Sequence, residues 1–300
     1  MKIAILGGLG FIGTNLYKEL SRSNKVIILD NFEIKNNLKY HKNLRIYKSD
    51  ILKLNTIIKH TKNIDIIINL AAQTGVLESN LLPEKSINLN ILGTLNVLKA
   101  CKVNKIKHFI NASTAGAIYG NTNFANENSP SKPLSFYGLT KKFSEDQIKI
   151  FLNQSKIKNT NLRFSNVYGP YSFHKTSLIH NSIKNSIKNK IQFIFGNGAQ
   201  TRDFIYVKDL VKIISIICKK KLSGTFNIAS GKSHNVNYIL KIISKKNKRF
   251  SFKKIARKSG EVEKIKLNNS KLLKKLKLKK SFFTNLDQGI IETYQWYNKS

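Results

Sequence analysis

Residues 2–20 read KIAILGGLGFIGTNLYKEL and contain a G-x-x-G-x-x-G pattern, Gly7, Gly10 and Gly13, between a β-branched run and an amphipathic stretch. The run Ile3–Leu6 predicts a short buried strand, and the stretch after the glycines has apolar residues at helical spacing. Glycines at these positions let the chain turn tightly and let a pyrophosphate approach the backbone at the positive N-terminus of a helix. The stretch therefore predicts a strand–turn–helix unit that binds a dinucleotide.

The second apolar run, KVIILD at 25–30, ends on Asp30, and Asn31 follows it. At this position a carboxylate can accept hydrogen bonds from the two hydroxyls of an adenosine ribose, whereas a 2′-phosphate would be repelled. The pattern therefore predicts NAD as the cofactor rather than NADP. The alternative is a purely structural glycine turn with Asp30 capping a loop.

Short β-branched runs alternate with longer amphipathic stretches through the first two-thirds of the chain. This alternation predicts a parallel sheet with helices on both faces and a ligand at the carboxyl ends of the strands. The predicted fold class is α/β, a Rossmann-type doubly wound parallel sheet. The predicted strands are Ile3–Leu6, Val26–Leu29, Arg45–Tyr47, Ile64–Asn69, His108–Asn111 and Asn161–Phe164.

The pattern changes from about Asn166, where the strand-like runs FIF at 193–195 and FNI at 226–228 are separated by helical stretches. We expect a smaller mixed α/β substrate-binding lobe there. The predicted domains are an NAD-binding domain over residues 1–165 and a lobe drawn mostly from residues 166–300, with parts of 200–220 and 285–300 packing on the first domain.

Tyr137 and Lys141 stand four residues apart in YGLTK, after a strand that ends in Ser113 and Thr114. At helical spacing the phenol and the ammonium lie on one face. We expect the neighbouring cation to lower the pKa of the phenol, and a hydroxyl at the end of the strand can hydrogen-bond the reacting oxygen. This arrangement predicts a phenol of lowered pKa beside a hydroxyl that can bind the reacting oxygen.

The composition is strongly basic, with 53 Lys and Arg against 16 Asp and Glu and a net charge of +37. Such an excess suggests an anionic partner. However, only six of these cations are Arg, the residue best suited to bidentate contacts with phosphates and bases. We interpret the charge mainly as a solvated surface and expect neither a nucleic-acid nor a membrane partner. The two cysteines, Cys101 and Cys218, form no disulfide framework and are consistent with a cytoplasmic location.

These motifs together resemble an extended short-chain dehydrogenase/reductase of the NAD-dependent epimerase/dehydratase family, most similar to its nucleotide-sugar 4-epimerases of the UDP-glucose 4-epimerase type. The resemblance covers nearly the whole chain. Each motif is only modestly specific, but their order and spacing together make the resemblance strong. Besides the glycine turn and Tyr137-x-x-x-Lys141, the parts are Asp50-Ile51, Asn69–Ala72, Asn90–Thr94, Ser113–Gly120, Leu162–Pro170, Gly196–Phe204 and Asn227–Gly231.

The resemblance implies that Tyr137 takes a proton from the sugar 4-hydroxyl while C4 delivers hydride to NAD, and that Lys141 holds the nicotinamide ribose. The implied catalytic set is Tyr137, Lys141 and Thr114, with Ser113 as the second choice for the hydroxyl. The implied cofactor contacts are Gly7, Gly10, Phe11, Ile12, Gly13, Asp30, Asn31, Asp50, Ile51, Leu70, Ala71, Ala72, Tyr137 and Lys141. The implied substrate contacts are Asn166, Arg202, Arg257 and Lys258.

The sequence departs from the family pattern in two places. Many members carry the catalytic Ser or Thr at the position of Ala115, so we assign the role to Thr114. The late phosphate-binding arginine would fall on Lys258, with Arg257 one residue earlier. Dehydratases carry an Asp-Glu pair where this chain has Ala115 and Gly116, and elimination needs an acid and a base there. This difference argues against 4,6-dehydration.

The resemblance implies a UDP-linked nucleotide sugar as substrate and a homodimer as the assembly. Two alternatives stay open: a reductase of a nucleotide 4-keto sugar, and an NAD-binding protein with a nucleic-acid-binding or regulatory role. His174 and Lys175 follow the Gly169-Pro170 turn and could contact a phosphate, although an exposed loop is the simpler interpretation.

Overall fold

The computed structural model describes residues 1–33, 44–256 and 263–299, which fold into alternating strands and helices. The strands are β1 Lys2–Leu6, β2 Lys25–Asp30, β3 Arg45–Lys48, β4 Ile66–Asn69, β5 His108–Thr114, β6 Thr122–Ala125, β7 Lys158–Phe164, β8 Asn166–Tyr168, β9 Gln192–Phe195, β10 Thr201–Tyr206, β11 Gly224–Ile228, β12 Ser233–Asn235, β13 Phe252–Ile255 and β14 Ile265–Leu267. The α-helices are α1 Phe11–Leu20, α2 Leu54–His60, α3 Val76–Leu81, α4 Pro83–Ile87, α5 Thr94–Val103, α6 Gly116–Tyr119, α7 Phe136–Leu152, α8 Leu178–Ile187, α9 Val207–Lys220, α10 Val236–Ser244, α11 Ser270–Leu276 and α12 Leu286–Lys299. A π-helical segment, Asn88–Gly93, joins α4 to α5, and a 3₁₀ turn spans Lys280–Phe282.

A parallel sheet of seven strands lies at the centre of the described residues, in the order β11-β7-β5-β4-β1-β2-β3. The strand order reverses direction beside β1, and ligands bind at such a switch point in open α/β sheets. The predicted α/β fold class is therefore confirmed, and the six strands predicted for this sheet are all present.

The two faces of the sheet bury different side chains because neighbouring residues of a strand point to opposite sides. In β1, Ile3 and Ile5 join a core with residues of α1, α9 and α11, whereas Ala4 and Leu6 join a core with residues of α5 and α7. This burial on both faces is why the run reads as continuously apolar rather than alternating.

A second core lies away from this sheet and is built by α8, α10 and α12 around the strands β8 to β10. Smaller sheets accompany it, with the strand orders β12-β10-β8, β13-β9 and β14-β6. None of the described helices has the length and apolar character needed to cross a membrane.

One sequence-based placement in the second half of the chain is wrong. The strand around Phe226 is predicted in the smaller lobe, but β11 pairs with β7 and forms one edge of the central sheet. In α12, Ile290 and Tyr294 lie in the second core, while Glu292 pairs with Lys208 of α9 at 2.8 Å. Helix α9 itself covers one face of the central sheet. The domain boundary near residue 165 stays a prediction.

Candidate active site

The glycine turn between β1 and α1 is held by backbone contacts. Gly7 has a φ of +71°, and its N–H donates to the Leu29 carbonyl at 2.8 Å. A Cβ at Gly7 would lie 2.8 Å from the backbone nitrogen of Ala71, and one at Gly13 would lie 2.5 Å from Cα of Gly8. These two glycines are therefore required by the fold itself.

Gly10 differs from the other two glycines. A Cβ there would meet only the Gly7 carbonyl oxygen, at 3.4 Å, so packing does not require a glycine. Gly10 and the first residues of α1, Phe11 and Ile12, line a cleft at the carboxyl edge of the sheet. Close approach of a ligand to this bare backbone, at the positive end of α1, accounts for the glycine.

Asp30 is fixed beside this turn by backbone donors. Its carboxylate accepts hydrogen bonds from the N–H groups of Leu9 and Phe32, both at 2.9 Å. Burial raises the pKa of this carboxyl, and the hydrogen bonds oppose that shift. At the end of the neighbouring strand β3, Asp50 accepts from the N–H of Leu52 at 2.8 Å. Two carboxylates therefore lie at one end of the cleft.

The cofactor contacts predicted from the sequence all line this one cleft, hereafter the cofactor cleft. They are Gly7, Gly10, Phe11, Ile12, Gly13, Asp30, Asn31, Asp50, Ile51, Leu70, Ala71, Ala72, Tyr137 and Lys141. The donor set fits NAD, because the bare backbone at Gly10 suits a pyrophosphate and the carboxylate of Asp30 suits a ribose diol.

Tyr137 lies at the start of α7, at the other end of the cofactor cleft. The Thr114 side chain hydrogen-bonds the phenol. The Ser113 hydroxyl instead donates to Glu145 Oε1 at 2.5 Å and is buried. The structure therefore brings Thr114, the first choice for the catalytic hydroxyl, to Tyr137 and engages Ser113 elsewhere.

Lys141 follows Tyr137 by one turn of α7 and is almost fully buried. Its ammonium donates to the Ala112 carbonyl at 2.9 Å. Burial lowers the pKa of Lys141 to about 8, opposed by the charge of Glu145. Burial also raises the pKa of Tyr137 to about 12, and the Thr114 hydrogen bond only partly opposes this. The expected lowering of the phenol pKa by Lys141 is therefore not found: burial raises this pKa, and the group that opposes the shift is Thr114.

The start of α7 is held by side chains that sequence reasoning did not identify. Ser79 Oγ accepts from the N–H of Tyr137 and Asn80 Oδ1 from the N–H of Phe136, both at 3.0 Å. These bonds satisfy N–H groups that a helix start leaves free. No local sequence pattern links these residues to α7, because Ser79 and Asn80 lie more than fifty residues earlier, on α3.

A buried polar network supports α7 further along. Glu145 binds Arg163 of β7 at 2.6 Å between Oε2 and Nη2. Arg163 also donates to Tyr119 at 2.7 Å, and the Tyr119 hydroxyl donates to Asn227 at 2.9 Å. Since Glu145 also holds Ser113, this network fixes the end of β5 relative to the face of α7 that carries Tyr137 and Lys141.

Two of the predicted substrate contacts, Asn166 and Arg202, line a second cavity between β8, β10 and α8. The Asn166 amide donates to the Asp203 carbonyl at 3.1 Å. Arg202 Nη1 donates to the carbonyls of Thr201 at 2.9 Å and Glu263 at 3.2 Å. The other two predicted contacts, Arg257 and Lys258, lie outside the described residues.

Comparison with known proteins decides the family. The model of the "NAD dependent epimerase/dehydratase family" matches residues 3–229, about three-quarters of the chain. The chain belongs to this family. The resemblance drawn from the sequence motifs is thereby confirmed, as is NAD as the cofactor.

Family members with known names share both sequence and fold with this chain. A Methanocaldococcus jannaschii protein named "Putative UDP-glucose 4-epimerase" is 36% identical over 247 residues, covering 80% of this chain and 81% of that protein. The UDP-N-acetylglucosamine 4-epimerase of Methanobrevibacter ruminantium M1, solved with UDP-N-acetylmuramic acid, is 29% identical, with a TM-score of 0.92 over 99% of this chain and 98% of that one. The UDP-glucuronic acid 4-epimerase of Bacillus cereus, solved with UDP-glucuronic acid and NAD, is 27% identical, with a TM-score of 0.92 over 100% and 99% of the two chains.

Proposed function

We propose that this enzyme epimerises a nucleotide sugar, UDP-linked, at C4 through a transient 4-keto sugar. The observation that carries the proposal is the position of Tyr137 and Lys141 in the cleft that also holds the glycine turn. This shared cleft supports a proton-transferring role for the phenol near the nicotinamide end of NAD. The 4-epimerase names of the family members support the choice of reaction.

In the proposed mechanism Tyr137 exchanges one proton with the oxygen on C4. The phenolate form of Tyr137 accepts the proton as the 4-keto sugar forms, and the resulting phenol returns it when the sugar is reduced on its other face. Bound NAD supplies the hydride acceptor and donor for C4. Thr114 holds the phenolic oxygen through its hydrogen bond, and a positioned acid–base group of this kind contributes about 10²- to 10⁴-fold to a rate.

The protonation states set a condition on this mechanism. A phenol with a pKa of about 12 is protonated at neutral pH, so Tyr137 acts as a base only where nearby positive charge stabilises the phenolate. The Lys141 ammonium, with a pKa of about 8, is mostly charged at neutral pH and favours the phenolate. Lys141 therefore has to stay protonated for turnover.

Tyr137→Phe tests the mechanism. We expect turnover to fall by about 10²-fold or more, because only the proton-transferring oxygen is lost, while binding of NAD and of UDP-sugars stays nearly unchanged. Tyr238→Phe is the matched control, since its hydroxyl bonds the surface carboxylate of Asp287 at 2.8 Å. The assay incubates each protein with a panel of UDP-sugars and separates the products by chromatography. Near-normal turnover of the Tyr137 variant, or stoichiometric consumption of NADH by the unsubstituted enzyme, would overturn the proposal.

For the substrate, we propose that Asn166 and Arg202 bind the diphosphate of the nucleotide sugar in the second cavity. A guanidinium fork suits such a contact. The segments 74–76 and 174–177 each contribute residues to the cofactor cleft and to the second cavity. Their placement supports a substrate that extends from the second cavity towards Tyr137.

We propose that the protein forms a homodimer through α7 and the adjoining π-helical segment. On α7, Leu139, Phe143 and Ile150 lie at helical spacing and are 52%, 52% and 77% exposed. Leu92 of the π-helical segment is exposed on the adjacent element. A second copy offers the same stripe, and a two-fold axis would bury both. Phe143→Ser should shift the mass measured by light scattering to that of a monomer, whereas Phe124→Ser, at an exposed position on β6, should not.

We also propose a cytoplasmic location. Cys101 and Cys218 are both buried and unpaired, and burial raises the pKa of each thiol. Free thiols are usual in a reducing compartment. The proposal also agrees with a need for NAD and nucleotide sugars, which the cytoplasm provides.

A further inference from the structure

The segment Pro170–Ser177, between β8 and α8, forms part of the wall of both cavities. His174 and Lys175 line the cofactor cleft, whereas Thr176 and Ser177 line the second cavity. As the sequence favoured, much of this loop is exposed, including His174, Thr176 and Ser177. Lys175 is half-buried and lines the cleft.

Contacts from three helices hold this segment in place. Asn15 of α1 donates to the Pro170 carbonyl at 3.0 Å, and the Tyr297 hydroxyl of α12 donates to the Ser172 carbonyl at 2.9 Å. Lys184 of α8 donates to the carbonyl of Lys175 itself at 2.7 Å. The backbone position of Lys175 is therefore fixed relative to α1, whose first residues line the cofactor cleft.

The ammonium of Lys175 has little to compensate its charge. It donates to Thr74 Oγ1 at 3.4 Å, and within the described part of the chain no carboxylate lies within salt-bridge distance of it. Burial lowers the pKa of Lys175, with the charge of Glu78 opposing the shift. A partly buried cation without an ion pair is costly unless an anion binds to it.

The charges of the cofactor cleft come from different elements. Asp30, Glu33 and Asp50 lie at or after the ends of β2 and β3, whereas Lys141 lies on α7 and Lys175 in the segment after β8. NAD carries its negative charge in the pyrophosphate, and Gly10 and α1 offer that group only backbone N–H groups and a helix dipole. A side-chain cation for the pyrophosphate is otherwise missing from the predicted contact set.

We propose that Lys175 binds the pyrophosphate of NAD in addition to the glycine turn, so that a segment outside the predicted NAD-binding domain closes over the cofactor. This inference rests on the NAD dependence of the family and not on which sugar the enzyme epimerises. The contact adds a charge-assisted hydrogen bond to the cofactor site.

The test compares the full-length variants Lys175→Met and Lys175→Arg with Lys190→Met, a control at an exposed lysine near the end of α8. Each protein, freed of nucleotide, is titrated by calorimetry with NAD, with ADP-ribose and with UDP. We expect Lys175→Met to weaken NAD and ADP-ribose by about tenfold each, as loss of a partly exposed charge-assisted bond predicts. We expect the arginine variant and the control to bind all three ligands as the unsubstituted protein does.

ADP-ribose contains the pyrophosphate of NAD but not its nicotinamide, so it shows which of these two groups has lost a contact. UDP carries the diphosphate of the substrate, so it shows whether the lost contact belongs to the substrate rather than to the cofactor. Unchanged NAD affinity in Lys175→Met overturns the proposal. Weakened UDP with unchanged NAD overturns it as well, because the contact would then belong to the diphosphate of the substrate. Weakened NAD with unchanged ADP-ribose also contradicts it, since the lost contact would lie at the nicotinamide end. None of these outcomes depends on turnover, so failure here is distinct from failure of the 4-epimerase proposal.

Discussion

At the scale of single residues, Gly10 and Gly13 serve different purposes although they belong to one motif. A methyl group fits at Gly10, where φ is −70° and the nearest atom to a Cβ is 3.4 Å away. Gly10→Ala should therefore keep the fold and place a methyl group where the pyrophosphate approaches. We expect NAD affinity to fall by about tenfold or more, with little change in thermal unfolding.

Gly13→Ala is the matched comparison. Its Cβ would lie 2.5 Å from Gly8 Cα and 2.6 Å from the Gly7 carbonyl oxygen, and backbone atoms cannot move aside easily. We expect this variant to lose about 1–3 kcal/mol of stability or more, as overpacking does. Calorimetry for NAD binding and a melting curve for each variant distinguish the two. Normal NAD binding by Gly10→Ala would show that the pyrophosphate lies elsewhere.

The carboxylate of Glu145 helps to keep the Lys141 side chain protonated. Lys141, with a pKa of about 8 that Glu145 raises, is charged below that pH and loses its proton as the pH rises through it. Without the carboxylate the pKa falls further, so turnover that needs the ammonium should decline at lower pH. We expect Glu145→Gln to move the alkaline limb of the kcat/KM profile to lower pH.

The same variant leaves Arg163 buried without its partner, which costs about 3–5 kcal/mol of stability. A purely structural role for Glu145 would lower the melting temperature and leave the alkaline limb where it is. Asp146→Asn provides the control, because Asp146 pairs with the neighbouring Lys142 on the helix surface. A pH profile shared by both variants would contradict the proposed link between Glu145 and Lys141.

At the scale of elements, the π-helical segment Asn88–Gly93 brings Gly93 against Ile51, which lines the cofactor cleft. A Cβ at Gly93 would lie 2.5 Å from Cδ1 and 2.8 Å from Cγ1 of Ile51. Gly93→Ala should therefore displace Ile51 and weaken NAD by about tenfold. Adding Ile51→Val removes the nearer of the two contacted atoms, and the double variant should recover part of the NAD affinity in the same titration. Additive effects of the two changes would show that they do not interact.

The elements of the central sheet could be predicted because their signals are local. The runs at β1 and β2 and the glycine turn lie within thirty residues. Their residue types alone indicate buried strands and a tight turn. The position of β11 could not be predicted, because FNI reads as a buried strand in either lobe and only its pairing with β7 decides between them. Likewise α12 packs against α8 and α10 through contacts that span more than forty residues.

The candidate site divides in the same way. The predicted cofactor contacts share motifs with the fold, and they all line one cleft. Ser79 and Asn80 belong to no motif, since their partners lie far away in sequence. Lys175 follows the Gly169-Pro170 turn, but its contact with Thr74 joins distant parts of the chain. The direction of the pKa shift of Tyr137 was predicted wrongly because spacing shows the nearby cation but not how far the phenol is buried.

At the scale of the whole molecule, the net charge of +37 has to be separated from the chemistry of the site. The lysine-rich run KLLKKLKLKK at 271–280 is a candidate for a surface that binds a polyanion. Its first part forms α11, whose Leu272 and Leu276 are buried in the core on one face of the central sheet. The lysines of this helix therefore lie on its solvent-exposed face. Exposed charges of this kind are screened at physiological salt.

Arg202 should therefore matter far more for the substrate than any lysine of that run. A guanidinium bound to a diphosphate forms charge-assisted hydrogen bonds, so we expect Arg202→Ala to raise the KM for the UDP-sugar by about tenfold or more. Lys274→Ala and Lys277→Ala, as controls that also remove one positive charge each, should leave it within about twofold. All three proteins are titrated with a UDP-sugar and with a generic oligonucleotide at physiological salt. A nucleic-acid-binding protein would show the reverse pattern, with salt-sensitive oligonucleotide affinity that depends on the lysines and not on Arg202. Sub-micromolar oligonucleotide binding without UDP-sugar binding would therefore refute both the diphosphate role of Arg202 and the interpretation of the charge as a solvated surface.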